Sequence, residues 1–211
     1  MSEQRDYGRY AAKMRKHVES GTDLEVDVRF VDMLSRRAAR ILDIGCGIGA
    51  TVGGLRARGH EAYGIDPTET VLRVARELHD PAWFRLLSAA QATSTQLERS
   101  GLPASYDVVL LSGNVPSFIP AGELPSVFAC VEGVLAPGGL LVIGTTTGRP
   151  GGPADQDAAA AATTNLTLEH RHADWHLGTF EADSPWSVSV FAAAGTPEPI
   201  DAPDGMFVLS K

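Results

Sequence analysis

Residues 41–50 read ILDIGCGIGA, with three glycines on alternate positions, Gly45, Gly47 and Gly49, directly behind an apolar run that one acid, Asp43, interrupts. Glycine costs about 1 kcal/mol relative to alanine inside a helix. Its value lies in positive φ and in letting backbone N–H groups approach a ligand. An apolar strand running into such a loop, with a helix behind it, is the ligand-binding turn of an open, mostly parallel sheet. That architecture needs further buried strands joined by crossover helices.

The rest of the chain supplies them. Helices are expected over 5–19, ended by Gly21, and over 23–38, where Leu24, Val28, Val31, Leu34 and Ala38 recur at helical spacing. Strand 40–44 leads into the glycine loop, a helix follows over 50–58, and strand 61–65 closes at Asp66-Pro67. Thr68 is placed to cap a helix reaching residue 79. Then come a strand at 83–87, a loop with a short helix over 89–99, and the apolar strand 106–111. A helix is expected over 121–135, a turn at 136–139 (APGG) and a strand at 140–145. Residues 155–164 suggest a short alanine-rich helix, and 166–176 with 186–192 a hairpin. Residues 195–211 carry three prolines and read as a tail, with a possible small strand at Met206–Leu209. The predicted fold is α/β, a doubly wound, Rossmann-like, seven-stranded and mostly parallel sheet with a final antiparallel strand.

Among ligands for the loop, Gly45-x-Gly47-x-x-Ala50 satisfies the dinucleotide fingerprint. Asp66 lies at a distance suited to ribose hydroxyls, which NAD and S-adenosyl-L-methionine (SAM) share. Asp43 separates the two. SAM carries an ammonium and a sulfonium and no phosphate, so a carboxylate suits it; beside a pyrophosphate the same carboxylate is misplaced. The third glycine completes the pattern Asp43-x-Gly45-x-Gly47-x-Gly49.

With these motifs the chain resembles the class I SAM-dependent methyltransferases. Residues 41–77 are similar to their first motif through the second helix of the sheet, 107–114 (DVVLLSGN) to the fourth-strand motif, and 135–143 (LAPGGLLVI) to the entry of the fifth strand. The loop 112–119 (SGNVPSFI) resembles the GN loop of the small-molecule members. The resemblance implies SAM as cofactor, S-adenosyl-L-homocysteine (SAH) as product, and a small-molecule methyl acceptor. It implies a cofactor site built from Asp43, Gly45, Cys46, Gly47, Gly49, Asp66 and Pro67, with Ser88, Ala89 and Ala90 beside adenine and Ser112, Gly113 and Asn114 beside the methionine part. Residues 116–119 would line the acceptor side. Relatives carry an acid after the third strand to meet adenine; here the stretch is Leu87-Ser88-Ala89-Ala90-Gln91, leaving Ser88, Gln91 or backbone groups. A SAM-binding protein without methyl transfer and an NAD-dependent oxidoreductase are the alternative readings.

Three parts are expected: a helical lid over 1–39, the SAM-binding domain over 40–194, and the tail over 195–211. Tyr7, Tyr10 and Arg15 are the lid's candidates for the site, Arg15 by pairing with the methionine carboxylate. Trp175 and Trp186 read as packing residues. His170, His172 and His176 share parity on the expected strand, but lack the companions of a metal site, and none is assigned. No catalytic base stands out. A formal net charge of −8 argues against nucleic-acid or anionic-membrane partners. Two cysteines far apart, a polar N-terminus and no membrane-length apolar run give a cytoplasmic expectation.

Overall fold

The computed structural model describes residues 6–120 and 122–196. The strands are β1 (Arg40–Ile44), β2 (Glu61–Asp66), β3 (Phe84–Leu86), β4 (Tyr106–Leu111), β5 (Leu135–Thr146), β6 (Leu166–His172) and β7 (Trp186–Ala193). They form one sheet in the order β3-β2-β1-β4-β5-β7-β6, parallel except that β7 runs antiparallel to both β5 and β6. The order reverses between β1 and β4. There the carboxyl ends of neighbouring strands diverge and open a crevice.

Period-two alternation in the central strands feeds two separate cores. Leu42, Ile44, Val109, Leu111, Leu141 and Ile143 point to one face, Ile41, Val108, Leu110 and Val142 to the other. On the first face lie α5 (Ser94–Arg99), α6 (Leu124–Glu132) and α7 (Pro153–Ala161). On the second lie α2 (Val26–Leu34), α3 (Ala50–Ala57) and α4 (Glu69–Leu78). Both faces being covered, the inner strands are apolar throughout. Helix α1 (Tyr7–Glu19) stands outside this sandwich; its Ala11, Met14 and Val18 pack on Ile48, Val71 and Val74.

Three expected elements differ. The helix expected over 23–38 stops at Leu34, because Asp107 on β4 binds the Arg36 guanidinium and accepts from the Arg40 N–H at 2.6 Å. These bonds draw residues 35–39 out of the helix, with Ala38 at φ 53°. The helix expected over 121–135 spans Leu124–Glu132. The turn expected at 136–139 lies inside β5 as an irregularity opposite Tyr106 and Val108. A Cβ on Gly139 would stand 2.9–3.2 Å from the carbonyls of Ala136, Asp107 and Tyr106, so the close approach requires glycine. The expected strand at Met206–Leu209 lies outside the described residues.

Candidate active site

The crevice at the β1/β4 divergence is a cavity of about 720 Å³. Its floor is the glycine loop. Gly45, Gly47 and Gly49 all take positive φ, 77°, 56° and 76°. Space adds a second reason at the outer two. A Cβ on Gly45 would overlap Val115, and one on Gly49 would overlap Phe84. Gly47 faces α1: a Cβ there would lie 3.7 Å from the Tyr10 hydroxyl. The Gly45 and Cys46 N–H groups both donate to the Ile65 carbonyl, at 2.8 and 3.1 Å. Cys46 packs into the space that Gly64 leaves, and burial pushes its thiol well above the usual range, which disfavours the thiolate form.

Asp66, at the end of β2, holds the loop. Its carboxylate accepts from the Gly47 N–H at 3.1 Å and the Thr68 N–H at 2.8 Å. Burial still raises its pKa, against the lowering effect of those bonds. Asp43 is 2 % exposed, and its Oδ1 has no hydrogen-bond partner among the described residues. Burial, then the charges of Asp27 and Asp66, push Asp43 well above the carboxylate range. A buried carboxylate oxygen left without a donor is expensive. At the edge of a ligand cavity such an oxygen suits a cationic or N–H-bearing group.

Asp27, at the start of α2, is the lining residue that sequence reasoning missed. It is 7 % exposed and accepts hydrogen bonds from Thr51 Oγ1 at 3.0 Å and from Ser112. Burial raises its pKa more than these bonds lower it. A signal was present: position 27 is in phase with Leu24, Val28 and Val31 on the buried stripe of the helix. Among the described residues no lysine, arginine or histidine lines the cavity, whereas Asp6, Asp27, Asp43, Asp66 and Glu123 all do.

Of the residues expected at the site, Tyr10, Asp43, Gly45, Cys46, Gly47, Asp66, Pro67, Ser88, Ala89, Ala90, Ser112 and Gly113 line this cavity. Gly49 does not; it is the turn at the N-terminus of α3. Asn114 does not; it sits at φ 69°, and its Oδ1 accepts from the Thr146 N–H at 2.7 Å and from the Thr145 and Thr146 hydroxyls. It clamps the GN loop to β5. Arg15 does not; its guanidinium pairs with Glu77 on α4. Gln91 turns back on Ser88, accepting from its N–H and hydroxyl, and is thereby committed locally. On the acceptor side, Phe118 and Ile119 line the cavity while Pro116 is buried against Gly151.

Trp175 and Trp186, expected as packing residues, also line the cavity. Trp175 lies edge-on to Phe30 at 5.4 Å, and its ring fills the space a Cβ on Gly144 would overlap. His176 is not on β6, which ends at His172 after an irregularity between Leu168 and His170. The parity that grouped the three histidines is therefore lost.

Comparison with known proteins accords with this geometry. Residues 41–139 match the methyltransferase domain family. The chain is thus similar to the SAM-dependent methyltransferases, the family match spanning just under half of its length. A ubiquinone biosynthesis O-methyltransferase of Azoarcus sp. strain BH72 is 35% identical over 107 residues, 50% of this chain and 43% of that protein. Its counterpart in Alkalilimnicola ehrlichii is 35% identical over 113 residues, 53% and 43% of the two chains. The chain thus matches less than half the length of these curated relatives. The crystal structure of a TehB-like SAM-dependent methyltransferase from Corynebacterium glutamicum superposes with a TM-score of 0.78 at 26% identity, covering 89% of this chain and 97% of the other. A SAM-dependent methyltransferase from Clostridium acetobutylicum shares the fold at a TM-score of 0.71 and 11% identity, covering 90% of this chain and 100% of that one. Among the described residues no helix is long and apolar enough to cross a membrane.

Proposed function

We propose that the chain transfers a methyl group from SAM to a small-molecule acceptor in the β1/β4 cavity. The observation that carries this reading is the unpartnered Oδ1 of Asp43 in a cavity that, among the described residues, has carboxylates and no cationic side chain. A pyrophosphate-bearing dinucleotide would meet repulsion there; an ammonium and a sulfonium are complemented.

When bound, SAM supplies a methyl group already activated on sulfur. The residues present fit it. Asp66 faces the ribose hydroxyls and pins the loop through Gly47. Asp43 offsets the positive charge of the methionine end. Ser88, Ala89 and Ala90 flank adenine, where backbone groups serve because Gln91 is committed to Ser88. Helix α1 lies over the loop with Tyr10 above Gly47, which supports its role as a lid. In-line transfer asks mainly for alignment and a dry site, and the half-buried aromatic walls contribute both. Relatives named as O-methyltransferases support a small acceptor.

The test is calorimetric titration with SAM, SAH and NAD separately. SAM and SAH are expected to bind at micromolar concentration, NAD not, and Asp66→Ala to weaken the first two at least tenfold. NAD binding without SAM binding would transfer the site to the oxidoreductase reading.

A further inference from the structure

Beyond the donor site the cavity keeps a second set of features. Tyr7, Phe118, Trp175 and Trp186 supply aromatic surface. Two carboxylates accompany them. Asp27 is buried and fixed by Thr51 and Ser112. Glu123 is exposed, lines the cavity, and its side chain has no partner among the described residues. The same cavity holds the nine-tenths-buried, unpartnered Asp43 Oδ1. With no cationic side chain among the described lining residues, no positive side-chain charge there offsets a full negative charge on an acceptor oxygen. A phenol or carboxylic acid is methylated through full or developing negative charge on oxygen, which these carboxylates oppose. An amine enters as a cation and leaves as one, which they favour, and aromatic faces add cation–π attraction.

We propose that the methyl acceptor is an amine on an apolar, ring-bearing small molecule, drawn in past Glu123 and held at Asp27. This deepens the methyltransferase reading and rests on it. The ammonium form gives one proton to a carboxylate or to solvent. The freed nitrogen lone pair forms the N–CH3 bond as the C–S bond breaks. Sulfur keeps that bond's electron pair and becomes the neutral thioether of SAH. The methylated nitrogen is again cationic. The curated relatives' oxygen specificity does not carry over, because the charge lining this cavity selects against an oxyanion.

The experiment uses the full chain saturated with SAH and a matched set of probes: phenethylamine, para-ethylphenol and phenylpropanoate. Calorimetry is expected to show the amine binding at least tenfold more tightly than the phenol and the carboxylate not at all. Methyl-labelled SAM should then label only the amine. Asp27→Asn should weaken amine binding about tenfold. Glu123→Gln, at the exposed mouth, should weaken it severalfold and leave phenol binding unchanged, which keeps a test if the buried substitution unfolds α2. An amine binding no better than its phenol, while SAH binds, overturns the acceptor class alone. Absence of SAH binding overturns the methyltransferase reading and this inference with it.

Discussion

Asp43 is the residue where stability and function pull apart. As a carboxylate it is buried beside two other acids, and its Oδ1 has no donor. Removing such a charge relieves the ligand-free fold, since an uncompensated buried ion costs several kcal/mol. Asp43→Asn is therefore expected to raise the melting temperature of the ligand-free protein by about 2–4 °C, equivalent to about 1 kcal/mol for a chain of this size. It should weaken SAM at least tenfold, about 1.4 kcal/mol. Scanning calorimetry and titration check both signs. A fall in both would make Asp43 a structural residue instead. Asp27 shows the limit of reading at this scale. In GTDLEVDVRF it is one of three acids at alternate positions, and its helical phase with Val28 and Val31 is the single signal that separates it from the other two. Only the seat of α2 against Thr51 and Ser112 turns it inward.

At the scale of elements, α1 is held by packing more than by charge. The Arg15–Glu77 pair is partly exposed, with side chains 32% and 43% accessible, and such pairs contribute about 0–1 kcal/mol. Ala11 is 3% exposed against Ile48, Val71 and Val74. Arg15→Ala is expected to leave SAM affinity within about twofold, because the guanidinium is spent on α4. Ala11→Asp buries an unpaired charge in that seam and should cost about 2 kcal/mol or more of α1 docking. Titration with SAM, together with the rate of proteolytic cleavage within α1, measures the two. Equal losses from both variants would return Arg15 to the binding site. The strands of this molecule were legible because the apolar runs are short, alternate between faces and end in glycine or Asp-Pro. The ends of α2 and α6 and the start of β5 were not. A helical stripe continues through Ala38, but Asp107, far away in sequence, captures the residues that would continue it.

For the whole molecule, three raised carboxylates around one cavity link ligand binding to pH. Asp27, Asp43 and Asp66 each have folded-state pKa values above the ordinary 3.8. A raised acid favours the fold below its ordinary value, and that contribution is lost as pH rises through the folded-state value. A cationic ligand reverses the balance by favouring the ionised forms. SAM binding is thus expected to release protons above the ordinary carboxylate range. Its affinity should rise with pH through the raised folded-state values and level off above them. SAH, lacking the sulfonium charge, should show a shallower dependence. Titrations in buffers of different ionisation enthalpy measure the proton count; identical pH profiles for the two ligands would count against charge complementarity.

The sequence by itself determined the doubly wound sheet and the positive-φ loop, because each follows from local chemistry at fixed spacing. Glycine is demanded by φ, and period-two apolar runs are demanded by a sheet covered on both faces. Tertiary structure alone decided what completes the cavity. Asp27 comes from the helix before the loop, Trp175 and Trp186 from the closing hairpin, and Glu123 from the segment before α6. These side chains converge from separate stretches of the chain. Their meeting depends on strand order and helix seating, neither of which local spacing encodes.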